Sequence, residues 1–194
     1  MHTVPFHILL VCSGNLCRSP WAEQFLRMRV AAPGVAFSSA GLVAAYGHAM
    51  PEEASLLSRR YGGLPDGHRS RPLSAELLRS ADVVLTASRE QRGAVAHLLP
   101  RMSARTFTIS EFSRLLGALR PPTGPDRPIP WDGLVESLRA VRGLVPPPGD
   151  PEADDIEDPY RRPLAVYERV AARLDRETAV IADFLENGIA APSP

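Results

Sequence analysis

Phe6-His7-Ile8-Leu9-Leu10-Val11-Cys12, running straight into Ser13-Gly14-Asn15-Leu16-Cys17-Arg18-Ser19-Pro20, is the stretch that decides the fold. Its first seven residues are an apolar run of strand length ending at a Gly-Asn turn, the pattern of a parallel strand buried on both faces. Ser19-Pro20 then opens a helix, because proline is tolerated in a first turn. Trp21, Phe25 and Met28 recur at helical spacing until Pro33-Gly34 stops it. Val35 to Phe37 reads as a second short strand, which makes the opening unit strand, loop, helix, strand, with a right-handed crossover.

Working outward, Glu52 to Tyr61 and Ser74 to Arg79 read as helices and Asp82 to Thr86 as a strand. Ser88 to Leu98 reads as a helix, Arg105 to Ile109 as a fourth strand and Ser110 to Leu119 as a helix again. This alternation predicts an α/β fold, a single open, mostly parallel four-stranded sheet with helices on both faces. Reactive groups in such sheets gather beyond the carboxyl ends of the strands, where Cys12 stands. From residue 120 to residue 157 the composition turns to proline, glycine and acid, and nine of the 20 prolines lie between Pro121 and Pro151. Within it Trp131, Leu134, Val135, Leu138 and Val141 mark one amphipathic helix. Arg161 to Asn187 reads as a last long helix ended by Gly188. The chain is thus expected to be one domain, 1–194, carrying a proline-rich helical insertion over 120–157 as a candidate lid.

Composition narrows the function. The 194 residues carry 22 basic and 22 acidic side chains, and every basic one is arginine. Zero net charge with interspersed signs argues against duplex nucleic-acid binding, which needs a clustered cationic surface. No stretch approaches the roughly 20 apolar residues that span a bilayer, so no membrane partner is expected. Two cysteines make no disulfide framework, and the N-terminal apolar run is short and lacks a basic segment before it. The expected setting is cytoplasmic and reducing.

The chemistry lies in residues 12–20. Successive backbone N–H groups in such a turn, backed by a helix N-terminus, form an anion-binding concavity suited to phosphate. The same field favours an anionic sulfur at Cys12. Arg18 offers a planar fork for two phosphate oxygens, and Ser19 can donate a hydrogen bond to the sulfur. Cys-x5-Arg alone is a weak signal in an arginine-rich chain; the preceding strand, the internal glycine, the following serine and the helix start give it weight. The Gly-Lys-Ser/Thr ending of a nucleotide-binding loop is missing. Two cysteines without histidine partners are half a metal site at most, so no metal is expected.

This loop resembles the N-terminal active-site signature of the low-molecular-weight protein tyrosine phosphatases. Ser39-Ala40-Gly41, His68-Arg69-Ser70-Arg71 and Asp158-Pro159-Tyr160 follow in the family's order. The resemblance implies a metal-free, cofactor-free phosphomonoester hydrolase in which Cys12 forms a cysteinyl-phosphate and Arg18 stabilises the equatorial oxygens. Ser13, Gly14, Asn15, Leu16, Cys17 and Ser19 would complete the phosphate-binding loop. Asp158 would be the general acid, with Asp154 or Asp155 as alternatives, since charge alone selects no carboxylate in the acidic run Asp150 to Asp158. Asn15, Ser39 and His68 would support the loop, and Tyr160, with Tyr46, would line the substrate cleft. Cys17 either pairs with Cys12 under oxidation or simply fills the loop.

The chain departs from the family at Leu42, Ala87-Ser88 and Arg161, the last standing where a second tyrosine commonly follows Asp-Pro-Tyr, and in the length of 120–157. The expected partner is a phosphorylated substrate, foremost a phosphotyrosyl protein. A small metabolite such as a sugar or nucleoside phosphate is the alternative. Arsenate reduction and a non-catalytic phosphate-binding module rank below both. Oligomeric state is left open.

Overall fold

A computed structural model describes residues 5–119 and 128–190. Four strands, β1 (Phe6–Cys12), β2 (Val35–Gly41), β3 (Val83–Thr86) and β4 (Thr106–Thr108), form one sheet in the order β2-β1-β3-β4, every pairing parallel. The helices are α1 (Arg18–Arg29), α2 (Glu52–Arg60), α3 (Ala75–Arg79), α4 (Arg89–Leu98), α5 (Ile109–Leu119), α6 (Trp131–Arg142) and α7 (Leu164–Asn187). The expected sheet and its two covered faces are present. Strand β2 runs four residues beyond the expected Phe37, because Ser38 to Gly41 pair in register with Leu9 to Cys12.

The period-two alternation of β1 sorts its side chains. Ile8, Leu10 and Cys12 join a core with α1, α2, α5, α6 and α7, whereas Leu9 and Val11 join a smaller one with Leu78 of α3 and Val95 of α4. Burial on both faces is why the strand reads as an unbroken apolar run. Because β2 and β3 flank β1 on opposite sides, the chain reverses its winding beside the carboxyl end of β1, where open α/β sheets form their crevice. Cys12 lies there.

Local signals set the helix starts. Ser74 Oγ accepts the Leu77 N–H (3.2 Å) and Ser88 Oγ the Gln91 N–H (3.3 Å). Thr108 and Glu111 form a reciprocal capping box at α5, Oγ1 accepting the Glu111 N–H (3.0 Å) and Oε2 the Thr108 N–H (3.4 Å). Among the described residues no helix is long and apolar enough to cross a membrane.

Residues 120–127 of the proline-rich segment, including Pro121, Pro122 and Pro125, lie outside the described residues. The described part packs against the body. Leu134 and Leu138 of α6 are fully buried, Trp131 stacks on Phe6 (5.1 Å between centroids), and Ile129 bridges to Ile189 after α7. Arg142 lies over the Phe107 ring (4.6 Å) and pairs with Glu111 (2.8 Å). The amphipathic stripe is satisfied by this docking, so α6 has no apolar face left for a substrate. Leu138→Ala should therefore cost about 2–4 kcal/mol in urea denaturation and leave turnover of the phosphoester that the resemblance implies within twofold; a large change in kcat at intact stability would mark the segment as a lid.

Candidate active site

Residues 13–17 carry the chain from β1 into α1, and Asn15 sets their shape. Its backbone is left-handed (φ 53°), a conformation in which asparagine is enriched among non-glycine residues. The side chain is wholly buried. Nδ2 donates to Ser39 Oγ (2.9 Å) and Ser19 Oγ (3.0 Å), while Oδ1 accepts the Arg71 N–H (3.0 Å). The Asn15 carbonyl accepts from His68 Nε2 (2.8 Å). That bond places the ring proton on Nε2, and burial holds the His68 pKa below its ordinary value. Neutral histidine is thus the form the loop uses.

Gly41 completes the cradle. A Cβ there would lie 2.6 Å from Ser13 O and 2.7 Å from Asn15 N, so only glycine lets β2 approach this closely. Just beyond it, Leu42 N and Val43 N donate to the carbonyls of Cys12 and Ser13 (3.0 Å each). Asn15, Ser39 and His68 form one hydrogen-bonded unit, with Gly41 and Arg71 joined to it.

Cys12 Sγ lies 3.0 Å from Ser19 Oγ and is 2% exposed. Arg18 is buried beside it. Its Nη1 donates to Ile156 O (3.1 Å), Nη2 reaches Ser13 Oγ (3.4 Å) and forms an ion pair with Asp158 Oδ2, and Nε has no partner among the described residues. A buried N–H is costly to leave unpaired, and an anion held in the loop would satisfy it. The backbone N–H groups that open α1 likewise lack intrahelical acceptors. Cys17 is buried too; burial first, then the neighbouring Cys12 and Asp158, pushes its thiol up and keeps it protonated.

A cavity of about 330 Å³ opens over this loop. Ser13, Gly14, Leu16, Cys17 and Arg18 line it with Cys12, as do Val43, Ala44, Ala45, His48, Ser70, Asp158 and Tyr160. Tyr46, expected in the wall, is 81% exposed and outside the lining. The reason is local: Ser70 Oγ donates to Ala45 O (2.6 Å), and Gly47 N and His48 N donate to Ser70 O (2.7 Å) and Ser70 Oγ (3.0 Å). These bonds tie down the residues on either side of Tyr46 and leave its ring outside the turn. His48 takes the wall position.

Sequence reasoning also passed over Gln91, whose Nε2 donates to Ser13 Oγ (3.0 Å) while Oε1 accepts the Ala87 N–H (3.0 Å). The signal was present in Ser88-Arg89-Glu90-Gln91, the capping-box spacing. Here the glutamine side chain reaches past its own cap to the loop.

The last five residues of the acidic run are pinned to the body. Asp154 pairs with Arg114 of α5 (2.9 Å), Asp155 with Arg89 of α4 (3.2 Å), Glu157 with Arg169 of α7 (2.6 Å) and Asp158 with Arg18 of α1. Arg173 adds a bond to Asp155 O (2.8 Å), and Ile156 N donates to Ala87 O at the end of β3 (2.7 Å). Asp158 is the one carboxylate of the run in the cavity lining, and Asp154 and Asp155 stand outside it. Its Oδ1 accepts the Tyr160 N–H (3.2 Å), holding the Asp-Pro-Tyr turn. Among the described residues no group of three His, Cys, Asp or Glu could hold a metal ion.

Residues 7–120 match the family described as low molecular weight phosphotyrosine protein phosphatase. The low molecular weight protein-tyrosine-phosphatase Ptp of Acinetobacter johnsonii is 35% identical over 55% of this chain and 73% of its own length. A protein-arginine-phosphatase of Geobacillus stearothermophilus is 33% identical over 72% of this chain and 88% of its own. The solved structure of YwlE arginine phosphatase from Geobacillus stearothermophilus superposes with a TM-score of 0.68 at 26% identity, covering 93% of each chain.

The lowered pKa of His68 has a consequence for stability. Because burial disfavours the charged ring, the folded chain takes up a proton at His68 less readily than the unfolded chain, so the contribution of His68 is complete above the ordinary histidine value of about 6.5 and declines as pH falls through the lowered folded value. The stability gap between the wild type and His68→Gln, measured by urea melts, should therefore shrink from pH 7.5 to pH 5. A gap that widens on acidification would mean that the charged ring is the supporting form.

Proposed function

The chain belongs to the low-molecular-weight phosphotyrosine protein phosphatase family, and on that premise we propose that this phosphatase hydrolyses phosphotyrosyl proteins, with Cys12 as nucleophile and Asp158 as general acid. Cys12 sulfur attacks phosphorus, and the bond from phosphorus to the phenolic oxygen breaks. Asp158 gives its proton to that oxygen, leaving a cysteinyl-phosphate. Asp158, now a carboxylate, takes a proton from water as the water attacks phosphorus, and the sulfur departs with a hydrogen bond from Ser19. Arg18 and the loop amides hold the three equatorial oxygens throughout.

The pairing of Asp158 with Arg18 supports its role as acid. A phosphate dianion in the loop competes for the same guanidinium. Substrate arrival would thus free Asp158 to turn toward the leaving oxygen.

What carries the tyrosine reading is the position of Cys12, almost fully buried beneath walls built from Leu16, Val43, Ala44, Ala45 and Tyr160. A flat aryl group spans such walls and buries its faces on them, whereas a short alkyl phosphate would leave them wet. The relatives named as arginine phosphatases make phosphoarginine the second reading. Against it, Asp158 is the one carboxylate in the lining among the described residues and serves the leaving oxygen in this mechanism, so no second carboxylate remains to hold a guanidinium.

Purified protein should hydrolyse p-nitrophenyl phosphate, with Cys12→Ser abolishing turnover. Asp158→Asn should lose about 10²–10³-fold in kcat on a phosphotyrosyl peptide and less on p-nitrophenyl phosphate, whose leaving group needs little proton assistance, while inorganic phosphate inhibits at least as strongly as in the wild type. Asp155→Asn should retain turnover. On a panel, kcat/KM for phosphotyrosyl peptides should exceed that for phosphoarginyl peptides and for sugar and nucleoside monophosphates; the reverse order would reassign the substrate.

A further inference from the structure

We infer that Arg161 makes the mouth of the cleft select phosphotyrosyl segments that carry carboxylates beside the phosphotyrosine, an inference that rests on the phosphotyrosyl reading above. The observation behind it is a cation fixed to the cleft wall with nothing to neutralise it. Arg161 has a left-handed backbone (φ 60°), rare for a long side chain. Its N–H donates to Tyr167 Oη (3.2 Å), and the Tyr167 ring is buried edge-on against Trp21 (6.2 Å between centroids). The turn is therefore anchored in the core. From that anchor the guanidinium lies over the Tyr160 ring, 5.1 Å from its centroid, and Tyr160 lines the cavity. Stacking on an aromatic face orients the cation while leaving its N–H edges free.

The charge balance at the mouth is one-sided. Arginines that meet the acid segment are paired: Arg18 with Asp158, Arg89 with Asp155, Arg114 with Asp154 and Arg169 with Glu157. Arg161 and the adjacent Arg162, both exposed, have no ion-pair partner among the described residues. Glu52 and Glu53 stand in the first turn of α2, where the helix N-terminus offsets their charge. A peptide whose phosphotyrosine reaches Cys12 must lay its neighbouring residues along the rim beside Tyr160. Glutamate or aspartate there meets an uncompensated, pre-oriented guanidinium; lysine or arginine there meets a like charge.

Two matched phosphotyrosyl peptides, identical except for glutamate or glutamine on both sides of the phosphotyrosine, test this. Wild-type kcat/KM should favour the glutamate peptide about two- to fivefold in 50 mM salt, the range of an exposed ion pair, and the preference should fade at 500 mM. Arg161→Gly and Arg161→Asn both accept the left-handed backbone and so keep the turn. Each should bring the ratio to about one while p-nitrophenyl phosphate turnover stays within twofold. Equal rates on the two peptides in the wild type, or an unchanged ratio in both variants, overturns the inference. A parallel drop on p-nitrophenyl phosphate and both peptides also overturns it, because Arg161 would then act by holding Tyr160. No turnover of either peptide, with p-nitrophenyl phosphate still hydrolysed, overturns the phosphotyrosyl reading itself and this inference with it.

Discussion

The left-handed turn at Asn15 is held against its own preference, and the cleft depends on it. A non-glycine residue in that region costs about 1–3 kcal/mol, and a loop so shaped persists only if its surroundings over-determine it. They do so from three directions: Ser39 on β2, His68 and Arg71 on the 68–71 segment, and Ser19 on α1 all bond to the one residue. Glycine at 41 follows, since β2 must approach the loop backbone within the space a Cβ would fill. The extension of β2 to Gly41 follows too, because the register that pairs Cys12 with Gly41 brings Ser39 beneath Asn15.

The second constraint is the placement of a carboxylate from residue 158 against an arginine from residue 18. No secondary structure joins them. Four arginines on α1, α4, α5 and α7 each take one carboxylate of the segment 154–158, so the acid's position is triangulated from most of the helices around the sheet. Individually such partly exposed pairs contribute little to stability. Their effect is geometric, and it suits an arginine-only chain, whose planar forks fix direction as well as distance in a way an ammonium does not.

This explains which parts were legible in the sequence. The buried strand, the Ser74 and Ser88 caps and the long C-terminal helix are local patterns, and each stands within a few residues of its expected bounds. Cys12, Arg18 and Ser19 follow from local logic too, because an anion-binding loop is built from consecutive residues. Carboxylate pairing across 12 to 140 positions leaves no periodic trace, so charge alone selected no carboxylate of the acidic run. The stripe on α6 announced a buried face but not what it would be buried against. Tyr46 misled for the opposite reason: it is near the cleft in sequence, but the bonds to Ser70 decide which side of the turn it occupies.

The two constraints meet at Arg18, whose guanidinium divides its N–H groups among several masters. One bond to Ile156 O ties it to the acid segment, one contact to Ser13 keeps it in the loop, one ion pair holds Asp158, and Nε has no partner among the described residues. Under the proposed mechanism a bound phosphate claims Nε and competes for the edge that Asp158 uses, while the bond to Ile156 is undisturbed. The acid segment is then still anchored when its carboxylate is let go. On that mechanism Asp158 would be freed to protonate the leaving oxygen without leaving the cleft, and the backbone bond at Ile156 would matter as much to the chemistry as the ion pair two residues on.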